Sequence, residues 1–267
     1  MPDLALPDIT LHYEVDGAGP PLILLSGMLS DSASWTPIVE PLAQHFTVIR
    51  PDNRTTGRTT PWNAPVSVKT MAEDARALMS CLGHDRFHVA GHSMGGRMAI
   101  ELFGLAKNQV ASLSILASGP HKLPRSLAVF DSLLETRRTA DGETLWLKAL
   151  YPWVFAPAFF EDPQNTATAI EAALNYPHAQ TADAMAHQIE ILREFEFSVP
   201  LTDITCPTQI LYAEDDALIP PGPARAAFAP IEHATHHLIP NAGHSVVWDA
   251  PEAVTRHLTA FVRSHAT

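Results

Sequence analysis

The sequence predicts an α/β fold, a mostly parallel twisted sheet with helices on both faces and a helical insertion. Three observations predict it. Short apolar, strand-like runs alternate with helix-like segments from Ile9 onward, as in a parallel sheet covered on both faces. After Gly119-Pro120 the alternation stops, and His121 to about Ser198 shows helical periodicity without a clear strand. There Met185, Ile189 and Leu192 fall at i, i+4 and i+7, one buried helical face. The alternation then resumes to the end. The 267 residues, 46% of them hydrophobic, suffice for one large core, since single α/β domains often run to roughly 250 residues. The expected organisation is a core of 1–120 and 199–267, with 121–198 inserted.

Taken in order, Ile9–Val15 alternates as a strand, and Asp16-Gly17-Ala18-Gly19-Pro20 turns. Leu22–Leu25 is a short apolar strand, Trp35–His45 a helix and Phe46–Arg50 a strand. Pro51–Pro65 is a polar loop. A helix follows over Ser67–Leu82, with Ser67 or Thr70 as its cap, Glu73 and Asp74 near its positive end, and Gly83 after it. Phe87–Ala90 is a strand, Met94–Ala106 a helix and Leu113–Ala117 a strand. Beyond the insertion come strand Gln209–Ala213, helix Pro223–Ala229, strand His236–Ile239 and helix Pro251–Arg263. The insertion is expected over the carboxyl ends of the strands, where open α/β sheets bind ligands.

Seventeen basic against 29 acidic residues give a net charge of −12, which argues against phosphate backbones or anionic lipid as partners. The first ten residues carry Asp3, Asp8 and no basic stretch, unlike a secretory signal. The apolar run near Leu22–Leu29 is too short to span a bilayer. A cytoplasmic protein is expected, with a small-molecule partner and neither nucleic acid nor membrane; a homo-oligomer is compatible with the sequence. Cys81 and Cys206 are expected as buried thiols rather than a disulfide framework.

Gly91-His92-Ser93-Met94-Gly95 fits a G-x-S-x-G turn between the strand Phe87–Ala90 and the helix that follows. That context lifts a strained serine above the sheet at a helix N-terminus, with Gly91, Gly95 and Gly96 letting the two arms approach. A serine hydroxyl needs a base to become a nucleophile. Among the 14 histidines, His244 in Asn241-Ala242-Gly243-His244 lies on a loop between a strand and a helix, at the carboxyl edge of the sheet. His92 is expected to point away from the hydroxyl. The base needs an orienting carboxylate, and Glu214, Asp215 and Asp216 follow the strand Gln209–Ala213. An oxyanion would be held by backbone donors. These are the N–H of Met94, after the serine, and that of Met28 in the loop Ser26-Gly27-Met28-Leu29.

These motifs resemble the α/β-hydrolase family across nearly the whole chain, and look closest to small esterases and lactonases, including enol-lactone hydrolases. The resemblance implies Asp216, four residues before Pro220, as the acid rather than its neighbour Asp215. The order Ser93, Asp216, His244 matches the family's. It implies that 121–198 is a helical cap. Pro51–Arg58 looks like the family's Asp-x-Arg-Gly-x-Gly-x-Ser loop, with Thr55 and Thr59 in place of Gly and Ser, and Asp52 and Arg54 are read as structural. Ser26 replaces the common histidine. Gly27, Trp153 and Phe155 are the candidate substrate contacts, within an insertion that also holds Trp146, Tyr151, Phe159 and Phe160. Arg97 is expected to point away from the pocket. No metal-ligand spacing or cofactor fingerprint appears, and the chemistry needs none. The expected reaction is hydrolysis of an ester or lactone. Enol-lactone, activated amide or carbon–carbon bond cleavage is the alternative, and a non-catalytic receptor the remote one.

Overall fold

The computed structural model describes residues 3–266. Eight strands form one sheet: β1 (Asp3–Ala5), β2 (Thr10–Asp16), β3 (Pro21–Leu25), β4 (Thr47–Pro51), β5 (Phe87–His92), β6 (Val110–Leu116), β7 (Thr208–Ala213) and β8 (Thr235–Ile239). Their order is β1-β2-β4-β3-β5-β6-β7-β8. β1 pairs with β2 and β2 with β4 in antiparallel fashion, and every other pair is parallel. The mostly parallel α/β sheet is therefore as the sequence predicts. β1, three residues long, is an addition too short to show a period.

Strand residues alternate between two cores. Leu22 and Leu24 join one apolar cluster, while Ile23 and Leu25 join the other, as the two-residue period of a strand requires. On one face the sheet is covered by α1 (Thr36–Ala43) and α10 (Pro251–Ser264), which supply Leu42, Leu258 and Val262. On the other lie α2 (Val68–Cys81) and α3 (Met94–Leu105), supplying Leu78, Met98 and Phe103. Ser67 caps α2, its side chain accepting the Thr70 N–H. Cys206 is buried, but Cys81 is exposed. Leu78 and Met79 carry the inward face of α2, and Cys81, two to three positions on, turns to solvent.

Between β6 and β7 stand four helices, α4 (Pro124–Arg137), α5 (Gly142–Val154), α6 (Pro163–Leu174) and α7 (Ala182–Glu194). After β7 come α8 (Pro221–Phe228), β8, the short α9 (Val246–Asp249) and α10. No helix among the described residues is long and apolar enough to cross a membrane.

Candidate active site

Ser93 links β5 to α3 with φ 55° and ψ −117°, a conformation that costs a non-glycine residue of order 1–3 kcal/mol and persists only where its surroundings impose it. Here they do. Its N–H donates to Leu116 O at 2.9 Å, and its carbonyl accepts from Ser118 Oγ at 2.7 Å and Gly96 N at 3.0 Å. A Cβ on Gly91 would strike the Gly95 carbonyl, and one on Gly95 would strike the Leu25 carbonyl.

Ser93 Oγ lies 2.9 Å from His244 Nε2, and His244 Nδ1 lies 2.8 Å from Asp216 Oδ2. Asp216 is buried, and its other oxygen accepts the Leu218 and Ile219 N–H groups at 2.9 and 2.7 Å. Asp215 is exposed, and its N–H donates to Ala242 O at 2.8 Å. The structure thus joins Ser93, His244 and Asp216 in one hydrogen-bonded path.

His92 makes its hydrogen bond to the backbone of His244 and not to the Ser93 hydroxyl. Its Nε2 lies 2.7 Å from the His244 carbonyl, and the two rings are 5.0 Å apart. A carbonyl only accepts, so His92 Nε2 is the protonated nitrogen. Burial first, and the neighbouring His244 second, push its pKa down to about 3, so a neutral imidazole braces the His244 backbone. Asp249 braces the same loop from α9, accepting the Gly243 and Ala156 N–H groups at 2.8 and 3.0 Å.

Met94 is the first residue of α3, where an N–H has no acceptor within the helix. The Met28 N–H donates to no described residue. Gly27 makes the approach of this loop possible, since its Cβ would sit 3.0 Å from Ser93 Cβ. Ser26, in the histidine's place, anchors the loop by donating to Asp31 O and accepting from Trp35 Nε1, each at 2.9 Å. Leu29, at φ 66°, donates its N–H to Gln188 Oε1 of α7 at 3.0 Å. In the 51–58 loop Asp52 and Arg54 make the fixing contacts, while Thr56 and Gly57 border the cavity. Asp52 accepts from Ser32 N and Arg58 N at 2.9 and 2.8 Å, and Arg54 bridges Asp8 and Asp74. Thr55 keeps φ 75°, the turn that a glycine would make.

Ser93 and His244 open on a cavity of about 500 Å³ between the strand ends and the inserted helices. Met28, Phe155, Trp146, Tyr151, Asp31 and Tyr176 line it. Trp153 does not; its ring packs under the Arg125 guanidinium 4.9 Å away. The lining residues Leu147, Leu150, Tyr151 and Val154 of α5 recur at i, i+3, i+4 and i+7, a helical face visible in the sequence. Trp153 lies off that face. Asp31 accepts the Tyr176 hydroxyl at 2.7 Å, and burial raises its pKa. Arg97 also departs from expectation, lining a second, smaller chamber beside Ser93.

A family model described as the alpha/beta hydrolase fold matches residues 20–251. The chain belongs to the α/β-hydrolase fold family. Among relatives of this α/β-hydrolase, a protein of Azorhizobium caulinodans named "Putative carbamate hydrolase RutD" is 33% identical over 218 residues, 80% of either chain. One of the same name from a Caulobacter species is 28% identical over 262 residues, covering 96% of this chain and 97% of that protein. A solved malate-bound thermophilic esterase from Thermogutta terrifontis superposes with a TM-score of 0.83 at 26% identity, covering 99% and 97% of the two chains. The enol-lactonase of Burkholderia xenovorans gives 0.84 at 22% identity, covering 98% and 100%, and shows likeness of fold.

Proposed function

We propose that this hydrolase cleaves a small carboxylic ester or lactone through an acyl-enzyme on Ser93. The observation that carries the proposal is the unbroken path Ser93 Oγ, His244, Asp216, with links of 2.9 and 2.8 Å, at the floor of a ligand-sized cavity. In the proposed reaction His244 Nε2 takes the Ser93 proton as Oγ attacks the carbonyl carbon. Asp216 holds Nδ1 protonated and stabilises the imidazolium. The Met28 and Met94 N–H groups receive the developing oxyanion, a type of contact whose loss costs about 10²–10³ in rate elsewhere. His244 then protonates the leaving alcohol and later activates the water that frees the acid. The helices α4–α7 act as a cap, with Phe155 beside the substrate.

Carbamate cleavage is the second reading, favoured by the names of the relatives. It uses the same attack, with an amine as leaving group or a carbamoyl-enzyme as intermediate. A fluorophosphonate should label the wild type at Ser93 and leave Ser93→Ala unlabelled. Short aryl esters, lactones, aryl carbamates and vinylogous diketones, assayed side by side, identify the bond. Turnover of carbamates or diketones alone defeats the ester proposal, and a folded wild type that resists labelling defeats the nucleophile itself.

A further inference from the structure

One buried charge plays no part in acyl transfer at Ser93. Arg97 stands in the first turn of α3, and its side chain and Ser93 line one chamber. It is 6% exposed. Its Nε donates to Gly119 O at 3.2 Å, one Nη2 hydrogen goes to His121 O at 3.0 Å, and the Phe195 ring lies 5.4 Å from the guanidinium carbon. All three partners are neutral. Among the described residues no carboxylate pairs with it. Arg54, equally buried, is held by both Asp8 and Asp74. A buried cation is costly unless an anion meets it. Burial lowers the Arg97 pKa to about 10, which still leaves a cation at neutral pH.

The side chain lines a chamber of about 40 Å³ whose other walls include Ser93, Met94, His244, Phe130 and Leu218. The chamber has no acidic side chain in its lining. On its other side Arg97 borders a surface cleft whose one acid, Glu196, is paired with Lys122 at 3.1 Å. The volume suits about three water-sized groups, a carboxylate with little more than one methylene. With Nε and one Nη2 hydrogen engaged, the end-on edge of the guanidinium is the one left for a bidentate carboxylate.

We propose that Arg97 anchors a substrate carboxylate in this chamber, so that the enzyme prefers anionic substrates bearing a carboxylate one or two methylenes from the scissile group. The inference rests on Ser93 as the nucleophile and adds the substrate class. The test compares each acid with its methyl ester: phenyl hydrogen succinate for the acyl half and 3-acetoxypropionate for the alcohol half. In the wild type at least one acid should exceed its methyl ester in kcat/KM by about 10- to 100-fold, the range of a charge-assisted hydrogen bond. That ratio should fall to about one in Arg97→Met and partly return in Arg97→Lys. Ratios at or below one for both pairs in the wild type, or a ratio that survives in Arg97→Met, overturn the anchor. If that variant does not fold, the wild type decides: succinate must slow fluorophosphonate labelling and succinamide must not. If no ester turns over and nothing is labelled, the nucleophile reading has failed by itself. Calorimetry then decides the anchor, which stands if succinate binds the wild type more tightly than Arg97→Lys, and falls if the two bind it equally or neither binds it.

Discussion

Asp215 and Asp216 are adjacent carboxylates at the end of β7, yet the backbone sends one to solvent and the other beneath His244. Asp216→Asn separates role from geometry. An amide can keep accepting the Leu218 and Ile219 N–H groups through Oδ1, but it presents Nδ2–H to His244 Nδ1. The imidazole must then carry its proton on Nε2, where it cannot receive one from Ser93. A fall in kcat of about 10²- to 10⁴-fold is expected with the fold intact, while Asp215→Asn stays near wild type. Equal losses in steady-state assays of the two variants would remove Asp216 from this role. Ser93 and His244 were legible because a strand, a turn of small residues and a helix fix each locally. Glu214, Asp215 and Asp216 were not separable by local pattern, and the choice needed the family's spacing. The place of Arg97 is not legible in the sequence, because Ser93 precedes α3 with non-helical backbone angles and helical periodicity does not relate the two side chains.

At the scale of elements, periodicity reveals which face of an element is inside but not what that face meets. The α5 face that lines the cavity is readable as a repeat, whereas aromatic content does not separate Trp146, which lines the cavity, from Trp153, seven residues on, which meets Arg125 instead. In β5 the same alternation buries His88, whose Nδ1 lies 2.8 Å from Ser112 Oγ of β6. Burial, with Arg86 and then His265 as lesser causes, pushes its pKa down to about 4 from 6.5. The folded chain therefore leaves His88 neutral in a range where the unfolded chain protonates it. That contribution to stability is complete above about pH 6.5 and is lost as the pH falls towards 4. Urea unfolding at pH 7 and pH 5 should show the wild type weakening, and His88→Gln should shrink the difference by about 1–2 kcal/mol. An unchanged difference would mean that His88 is protonated in the fold.

At the scale of the molecule, several hydrogen bonds tie the α4–α7 segment to loops at the strand ends, and three of them reach the loops after β3 and β4. Tyr176 Oη donates to Asp31 at 2.7 Å, Gln180 Nε2 to Thr55 O at 2.9 Å, and Leu29 N to Gln188 Oε1 at 3.0 Å. Leu29 and Thr55 both hold positive φ without being glycine. Each is a strained core residue gripped from the inserted layer, so that layer shapes the loops that border the cavity as well as roofing it. Tyr176→Phe tests this dependence. It deletes the donor to a buried carboxylate while Asp31 keeps the Ala33 N–H at 2.9 Å. Hydrogen bonds to charged groups are worth about 1.5–3 kcal/mol, and a loss of that order is expected near neutral pH. Burial already raises the Asp31 pKa, and losing the hydroxyl raises it further. The deficit is therefore full while Asp31 is ionised and narrows in acid as it protonates. Ser93, His244 and Asp216 all stand on core loops and are untouched. KM should rise about tenfold, the equivalent of 1.4 kcal/mol of lost binding, with kcat changing far less. A collapse of kcat at constant KM would show instead that Tyr176 acts on the chemical step, and that the inserted layer does more than hold the walls of the cavity.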